Sequence, residues 1–344
     1  MDRAWETRYR ADYRCQADSD AAAPLTKEAQ VAIPARAAGL VLGYAADLAF
    51  ADPRRGHPVA GFGQAASALE RACWADKRRR GAAYTGVLVG GIAALGWISQ
   101  RATRGRPVAE TAIVAVATWV VLGGRSLAVE GSLMAQMLEN NDLPGARDRL
   151  GHLCARDATG LPANDLVRAS VESLAENTSD AVVAPLLWGA VAGVPGLLGY
   201  RAANTLDAMV GYRSERYVRF GWASARLDDL LNLVPARVAA ALTVAAAPMV
   251  GGRSADAWRI WRRDASRHPS PNAGVVEAAS AGALGVTIGG SNTYDGSSED
   301  RGTLGDGPAV VVADLSRSVR LSQVVGFGAM LVAVGVAVVR RGRG

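Results

Sequence analysis

Apolar blocks alternate with long polar stretches along the chain, and this alternation predicts its elements. Ala35–Ala51 is the first apolar run, interrupted only by Arg36 and Asp47. It is about the minimum length for a membrane-crossing helix. Asp52-Pro53-Arg54-Arg55-Gly56-His57-Pro58-Val59 then forms a polar exit whose prolines resist helix continuation. Residues 64–75 predict a short amphipathic helix ending in the run Lys77–Arg80. Charge-free spans follow at Ala82–Ile98 and Thr111–Gly124, joined by a loop carrying Arg101, Arg104 and Arg106. The first of these is rich in glycine, which lets membrane helices approach closely.

Residues 125–180 read as mostly soluble helix, with Asp165 as N-cap. Arg168, Glu172 and Glu176 stand four residues apart on one stripe, which Asp180 extends if the helix continues. Both an exposed salt-bridged face and a functional face fit that stripe. Ala181–Tyr200 carries no charge but contains Pro185 and Pro195, which fits a smooth span or a broken segment lining a cavity. Next, Tyr200–Arg237 is densely polar. Within it Leu227, Leu230, Leu231 and Val234 share one helical face, and Asp228, Asp229 and Asn232 take the other. Pro235 precedes a span at Ala236–Val250, and residues 253–321 form a second polar block with a rigid turn at His268–Gly274. The last span is Val324–Val339, closed by Arg340, Arg341 and Arg343.

The pattern as a whole predicts an all-α, polytopic membrane protein with about five transmembrane helices, Ala181–Tyr200 being a candidate sixth. Its two large polar helical blocks are 125–235 and 253–321. Residues 1–33, polar and mixed in charge, read as a disordered N-terminal extension without a secretory signal. Residues 34–344 read as a single membrane-embedded domain.

Composition agrees with helices packed in a bilayer. Half the residues are hydrophobic but only 6% are aromatic, which favours close-packed helices over a sheet-rich core. Mean hydropathy is slightly positive, as for a membrane protein with large polar loops. The net charge is +6, and every basic residue except Lys27 and Lys77 is arginine. That charge sits beside apolar spans, so the positive-inside bias accounts for it better than nucleic-acid binding does. The three cysteines are scattered, which excludes a disulfide framework and a structural zinc site.

No phosphate loop with Lys-Ser/Thr, no His-Glu-x-x-His and no Gly-x-Ser-x-Gly occurs. What remains is carboxylates, arginines and asparagines beside apolar spans. Asn204, Asp207 and Gly211 share one helical face, and Asp228 and Asn232 share another. Hard oxygen ligands of this kind suit Mg²⁺, and arginines nearby suit phosphate. Asp47, an acid in an apolar span, is a candidate in its own right, set against solvation at the membrane interface.

Long motifs in fixed order resemble the CobD/CbiB family of cobalamin biosynthesis, the adenosylcobinamide-phosphate synthases. They are Asp52-Pro53-Arg54 with His57-Pro58-Val59, Glu172-Ser173-Leu174-Ala175-Glu176-Asn177-Thr178, and Asn204-Thr205-Leu206-Asp207-Ala208-Met209-Val210-Gly211-Tyr212. Phe220-Gly221-Trp222-Ala223-Ser224-Ala225-Arg226-Leu227-Asp228-Asp229, Pro235-Ala236-Arg237, His268-Pro269-Ser270-Pro271-Asn272-Ala273-Gly274 and Glu277-Ala278-Ala279 continue the match. The resemblance spans residues 36–339, with small departures at Val275-Val276 and Ala155–Thr159.

The resemblance implies a membrane-embedded ligase that uses ATP. It would join the free propionate carboxylate of adenosylcobyric acid to aminopropanol or its O-phosphate, giving adenosylcobinamide (phosphate). Charge type then suggests roles: Asp228 and Asp229, with Asp207, for Mg²⁺; Arg226 and Arg237 for phosphates; Glu176 or Asp180 for the amine proton. Asp207 and His268 complete the expected catalytic set, and Arg54, His57, Asn204 and Asn272 the substrate-binding set. The expected setting is the cell membrane, with a cytoplasmic active face where ATP is present. The expected partners are the lipid bilayer and other late corrinoid-pathway enzymes, with no nucleic acid. The alternative is a corrinoid-binding membrane scaffold or transporter without catalysis, which the interrupted segment 181–200 and Asp47 also fit.

Overall fold

Helices carry most of the described residues in the computed structural model, which describes residues 34–52, 56–154, 157–294 and 297–341, side chains at 291–300 and 341 excepted. The expected extension 1–33 and Arg54 lie outside the described residues. In chain order the helices are α1 (Ala35–Phe50), α2 (Pro58–Cys73), α3 (Arg78–Ala102), α4 (Pro107–Val121), α5 (Gly124–Glu139), α6 (Leu143–Leu150) and α7 (Ala163–Thr178). A π turn, Ser179–Val183, leads into α8 (Ala184–Ala192), α9 (Val194–Val210), α10 (Trp222–Ala246), α11 (Ser254–Asp264) and α12 (Ala273–Leu284). An antiparallel strand pair, β1 (Ile288–Tyr294) and β2 (Ser297–Leu304), precedes the last helix, α13 (Val312–Arg341).

Among the described residues, four helical stretches are long and apolar enough to cross a membrane: Arg78–Ala102, Pro107–Glu139, Trp222–Val250 and Val312–Arg340. The expected first span is not among them. As α1 it has 16 residues, short of the roughly 20 that a bilayer asks of a straight helix. It packs tightly on α4 instead. A Cβ on Gly39 would meet Val114 Cβ at 2.6 Å, and one on Gly43 would meet Thr118 Cβ at 2.4 Å, so glycine is what permits the approach. Ala181–Tyr200 is indeed interrupted. Gly193 takes a φ of +70°, and Gln100 Oε1 accepts the Val194 N–H at 2.8 Å, closing α8 and starting α9.

Three local expectations are corrected. The helix of Arg168 and Glu176 starts earlier than expected. Pro162 takes the N-cap position, and Asp165 lies in the first turn, bonded to Arg168 at 3.0 Å. The span expected to begin after Pro235 is not a separate element; Pro235 sits inside α10, which runs from Trp222 to Ala246. A proline there has no N–H for the carbonyl four residues back, and Leu231 O accepts Trp188 Nε1–H at 3.1 Å instead. Asp47 is fully buried rather than solvated, and its Oδ2 accepts the Arg125 N–H at 3.1 Å, capping α5 from a different helix.

The amphipathic character of α10 is turned inside out. Ser224, Asp228 and Asn232 are buried, whereas Leu230 and Val234 are 63% and 69% exposed. An apolar outer face with a polar inner one suits a helix whose surroundings are lipid and whose inner side lines a cavity. The strand pair is the part of the fold that the all-α reading did not contain. It is held by α7 and α11: Glu172 Oε1 accepts Gly289 N–H at 2.8 Å, and Asp264 Oδ2 accepts Gly305 N–H at 3.0 Å. Every residue of α12 from Gly274 to Leu284 is buried, and small residues let it sit deep in the bundle.

Candidate functional site

Five parts of the chain converge on a cavity of about 210 Å³. The end of α7 and the π turn bring Glu176 and Asp180, α9 brings Asp207, and α10 brings Asp228, Asp229 and Asn232. The His268–Asn272 turn and Arg301 of β2 close the other side. A π turn adds a residue to one helical turn and is often found where a side chain is re-aimed at a functional site. Here it carries Asp180.

Amide groups tie these acids together. Asn204 Nδ2 donates to Asp180 Oδ2 at 3.2 Å and to Asp228 Oδ1 at 3.3 Å. Asn232 Nδ2 donates to the other oxygen of Asp228 at 3.0 Å, and Tyr200 O–H fixes Asn232 at 2.8 Å. Asn272 bridges the rim, donating to Asp229 O at 2.8 Å and accepting from Arg237 at 2.9 Å. Asp180, Asp207 and Asp228 have no ion pair among the described residues. Burial, reinforced by Asp228 and Asp229, pushes the Asp207 carboxyl up to about 7. Burial, with Asp228 and Glu176 nearby, likewise pushes Asp180 well above the usual carboxylate range.

A second group lies against Glu176. Glu277 of α12 is fully buried, and its Oε1 lies 3.6 Å from His268 Nε2 and 3.7 Å from Arg301. Arg301 also reaches Glu176 at 3.4 Å. His268 Nδ1 accepts the Ser270 N–H at 3.0 Å, and Ser270 Oγ accepts the Asn272 and Ala273 N–H groups at the start of α12.

Of the residues singled out in the sequence, Glu176, Asp180, Asp207, Asp228, Asp229, His268 and Asn272 line the cavity, with Asn204 bridging behind them. Arg237 stands at the rim, bonded to Asn272, Pro271 O and Leu233 O. Arg226 points to solvent with its side chain 77% exposed, 3.8 Å from Asp229. His57 is not among the lining residues; it caps α2 through Nδ1 and lies 3.4 Å from Asp52. The reading of the stripe as an exposed face fails at Glu172, which is buried. Glu277, named in the sequence only within a matched motif, and Arg301 were not among the expected site residues. Glu277 had a signal, being the lone charge in an apolar, small-residue stretch; Arg301 had none.

Asp180, Asp207, Asp228 and Asp229 bring carboxylate oxygens, the donor type that a hard cation such as Mg²⁺ takes, to one cavity wall, but no three of them come together in a metal-sized group. Among the described residues, the side chains whose ligand-type atoms lie within 4.8 Å of one another are Glu176, His268 and Glu277.

Comparison with known proteins agrees with the motifs. The family model described as CobD/Cbib protein matches residues 40–322. The chain is similar to a cobalamin biosynthesis protein CobD of Mycobacterium tuberculosis, 54% identical over 307 residues, covering 89% of this chain and 97% of the relative. It is also similar to proteins of that name from Geobacter metallireducens (45% over 265 residues; 76% and 83% covered) and Rhodobacter capsulatus (40% over 296 residues; 83% and 92% covered). No solved structure matches. A helical membrane protein with this cavity and these relatives belongs to the CobD/CbiB family of cobalamin biosynthesis.

Proposed function

We propose that the protein is an ATP-dependent carboxylate–amine ligase that joins the propionate of adenosylcobyric acid to aminopropanol or its O-phosphate. The observation that carries this reading is the charge of the cavity. Five lining carboxylates (Glu176, Asp180, Asp207, Asp228, Asp229) face one lining arginine, Arg301. A buried anionic cavity takes up cations, and ligation of this kind brings two: a divalent ion with ATP, and the ammonium of the amine.

The chemistry has three requirements. A carboxylate is inert to amines until one oxygen becomes a leaving group, so ATP first phosphorylates the propionate and releases ADP. Asp228 and Asp229, with Asp207, would hold Mg²⁺, whose contribution is to offset charge on the transferring phosphoryl group. Arg237 and Asn272 at the rim suit the phosphates, as does Arg226 on the solvent side of Asp229, and His268 and Asn204 orient the groups around them. The ammonium must then lose a proton before its nitrogen can attack, and Glu176 or Asp180 serves as acceptor. Carboxyls held near neutrality, as Asp207 is, are matched to such proton transfers. The active face is cytoplasmic in this reading, where ATP is present.

The test is to incubate the purified protein in lipid nanodiscs with adenosylcobyric acid, aminopropanol or its phosphate, ATP and Mg²⁺, and to weigh the corrinoid by mass spectrometry. The expected product is the amide, with one ADP formed per corrinoid. Unchanged corrinoid together with ATP-independent corrinoid accumulation in vesicles would instead establish a transporter.

A further inference from the structure

Glu277 is a fully buried acid on a helix that is otherwise apolar and small, and the chemistry above does not use it. Its neighbours come from three other parts of the chain: Glu172 and Glu176 from α7, His268 from the turn before α12, and Arg301 from β2. The ring of His268 decides what this group can be. Because Nδ1 accepts the Ser270 N–H at 3.0 Å, the neutral imidazole carries its proton on Nε2, the atom that lies 3.6 Å from Glu277 Oε1. A nitrogen that holds a proton has no lone pair for a metal, so the proximity of Glu176, His268 and Glu277 is not that of a metal site. It is that of a buried cluster: the Ser270 N–H is bonded to His268 Nδ1, Nε2 faces Glu277 Oε1 at 3.6 Å, beyond hydrogen-bond length, and Glu176 lies next to Glu277.

We infer that Glu277 is a positioning residue that keeps a proton and, faced by Nε2 of His268, holds Glu176 at the cavity wall as the base that deprotonates the amine. A fully buried carboxylate beside a half-buried one, with a single arginine reaching both, is costly to keep ionised. Burial and the nearby Glu176 and Glu172 favour the protonated form of Glu277, with Arg301 opposing them. The carboxyl proton of Glu277 then bridges to one oxygen of Glu176, leaving the other for the substrate. In forming the amide the nitrogen gives up two protons. One N–H bond breaks as an O–H bond forms on Glu176, and the second proton leaves with the departing phosphate as hydrogen phosphate. The role of Glu176 rests on the proposed ligase reading; the pairing of Glu277 with His268 does not.

Glutamine is the isostere of a protonated glutamate, and this makes the inference testable. With only His57, His152 and His268 in the chain, ¹⁵N-histidine NMR of the detergent-solubilised protein resolves His268 once His268→Asn identifies its signal. The expected spectrum shows His268 protonated at Nε2 and bare at Nδ1, in the wild type and in Glu277→Gln alike. In the mass-spectrometric assay Glu277→Gln keeps turnover and its pH profile, whereas Glu277→Ala loses about 10²-fold in kcat with KM unchanged, the cost of a base left adrift. A His268 bearing its proton on Nδ1, or a Glu277→Gln enzyme as impaired as Glu277→Ala, overturns the inference. If the wild type forms no amide at all, the ligase reading falls, and the Nε2–H signal still decides the Glu277–His268 pairing without turnover: it shifts in Glu277→Ala if Nε2 faces Glu277, and an unmoved signal overturns the pairing.

Discussion

Two clusters of aspartates, one in the cavity and one at the foot of the strand pair, use the same residue type to opposite ends. Beside α11, Asp264 accepts both forks of Arg263 at 2.7 and 2.8 Å and also meets Arg267 at 3.1 Å. Asp306 accepts Arg259 at 2.7 Å and Arg263 at 2.9 Å. These arginines hold Asp264 below the usual carboxylate range and bring Asp306 down to about 2. In the cavity, Asp180, Asp207 and Asp228 are tied by asparagine amides and face one another, so burial and mutual repulsion drive Asp207 up to about 7 and Asp180 well above its ordinary value. Acids matched from within the chain hold the fold. Acids matched only by amides keep raised carboxyls at the cavity wall, the kind of perturbed group that marks a candidate functional site.

Exchanging members of the two clusters breaks the comparison most strongly. Asp228→Asn should lower amide formation about 10²-fold, with Asp207→Asn close behind, while Asp306→Asn leaves the rate near wild type; product mass per unit time is the readout. Equal losses in Asp228→Asn and Asp306→Asn would erase the distinction.

The pH response should differ in sign between the clusters. Asp207 has a folded value of about 7, above its ordinary 3.8, so the folded state binds more protons than the unfolded one between those values. Its contribution to stability is therefore full below about 4 and falls away as pH rises through 7. Mg²⁺ requires the ionised form, so it should raise the melting temperature more at pH 8 than at pH 5.5. Asp264 and Asp306 have lowered values, so their contribution is present above about 4 and is lost as pH falls toward 2. Thermal melts across pH 3–9, with and without Mg²⁺, measure both limbs.

Smaller effects sharpen the picture. Asp264→Asn, which removes charge-assisted bonds to Arg263 and Arg267, should cost about 2 kcal/mol in denaturant titrations at pH 7 with binding of Mg²⁺ unchanged. Trp188→Phe leaves Leu231 O without its donor above Pro235 and should cost about 1 kcal/mol in the same assay.

The elements were legible where charge is absent. The spans around Ala82–Ile98 and Val324–Val339 appear as α3 and α13 because an uninterrupted apolar run admits few alternatives. The length limit that excludes α1 and the carbonyl of Leu231 that finds Trp188 are tertiary facts, and no local pattern carries them. The strand pair was hidden because its glycines, among them Gly289, Gly290, Gly302 and Gly305 at positive φ, carry no strand propensity. In the site, acids next to apolar runs stood out one by one. Their union through Asn204 joins residues 24 positions apart on either side, which spacing along one helix cannot predict. Glu277 was visible as a lone acid in α12, but its partner Arg301 sits in a polar stretch that resembles any solvated loop.

The most direct measurement of the central claim is calorimetric titration of the purified protein with Mg²⁺ at pH 8, for wild type, Asp228→Asn and Asp306→Asn. The account predicts saturable binding in the wild type, the same curve in Asp306→Asn, and none in Asp228→Asn. An Asp228→Asn curve that overlays the wild type would contradict it.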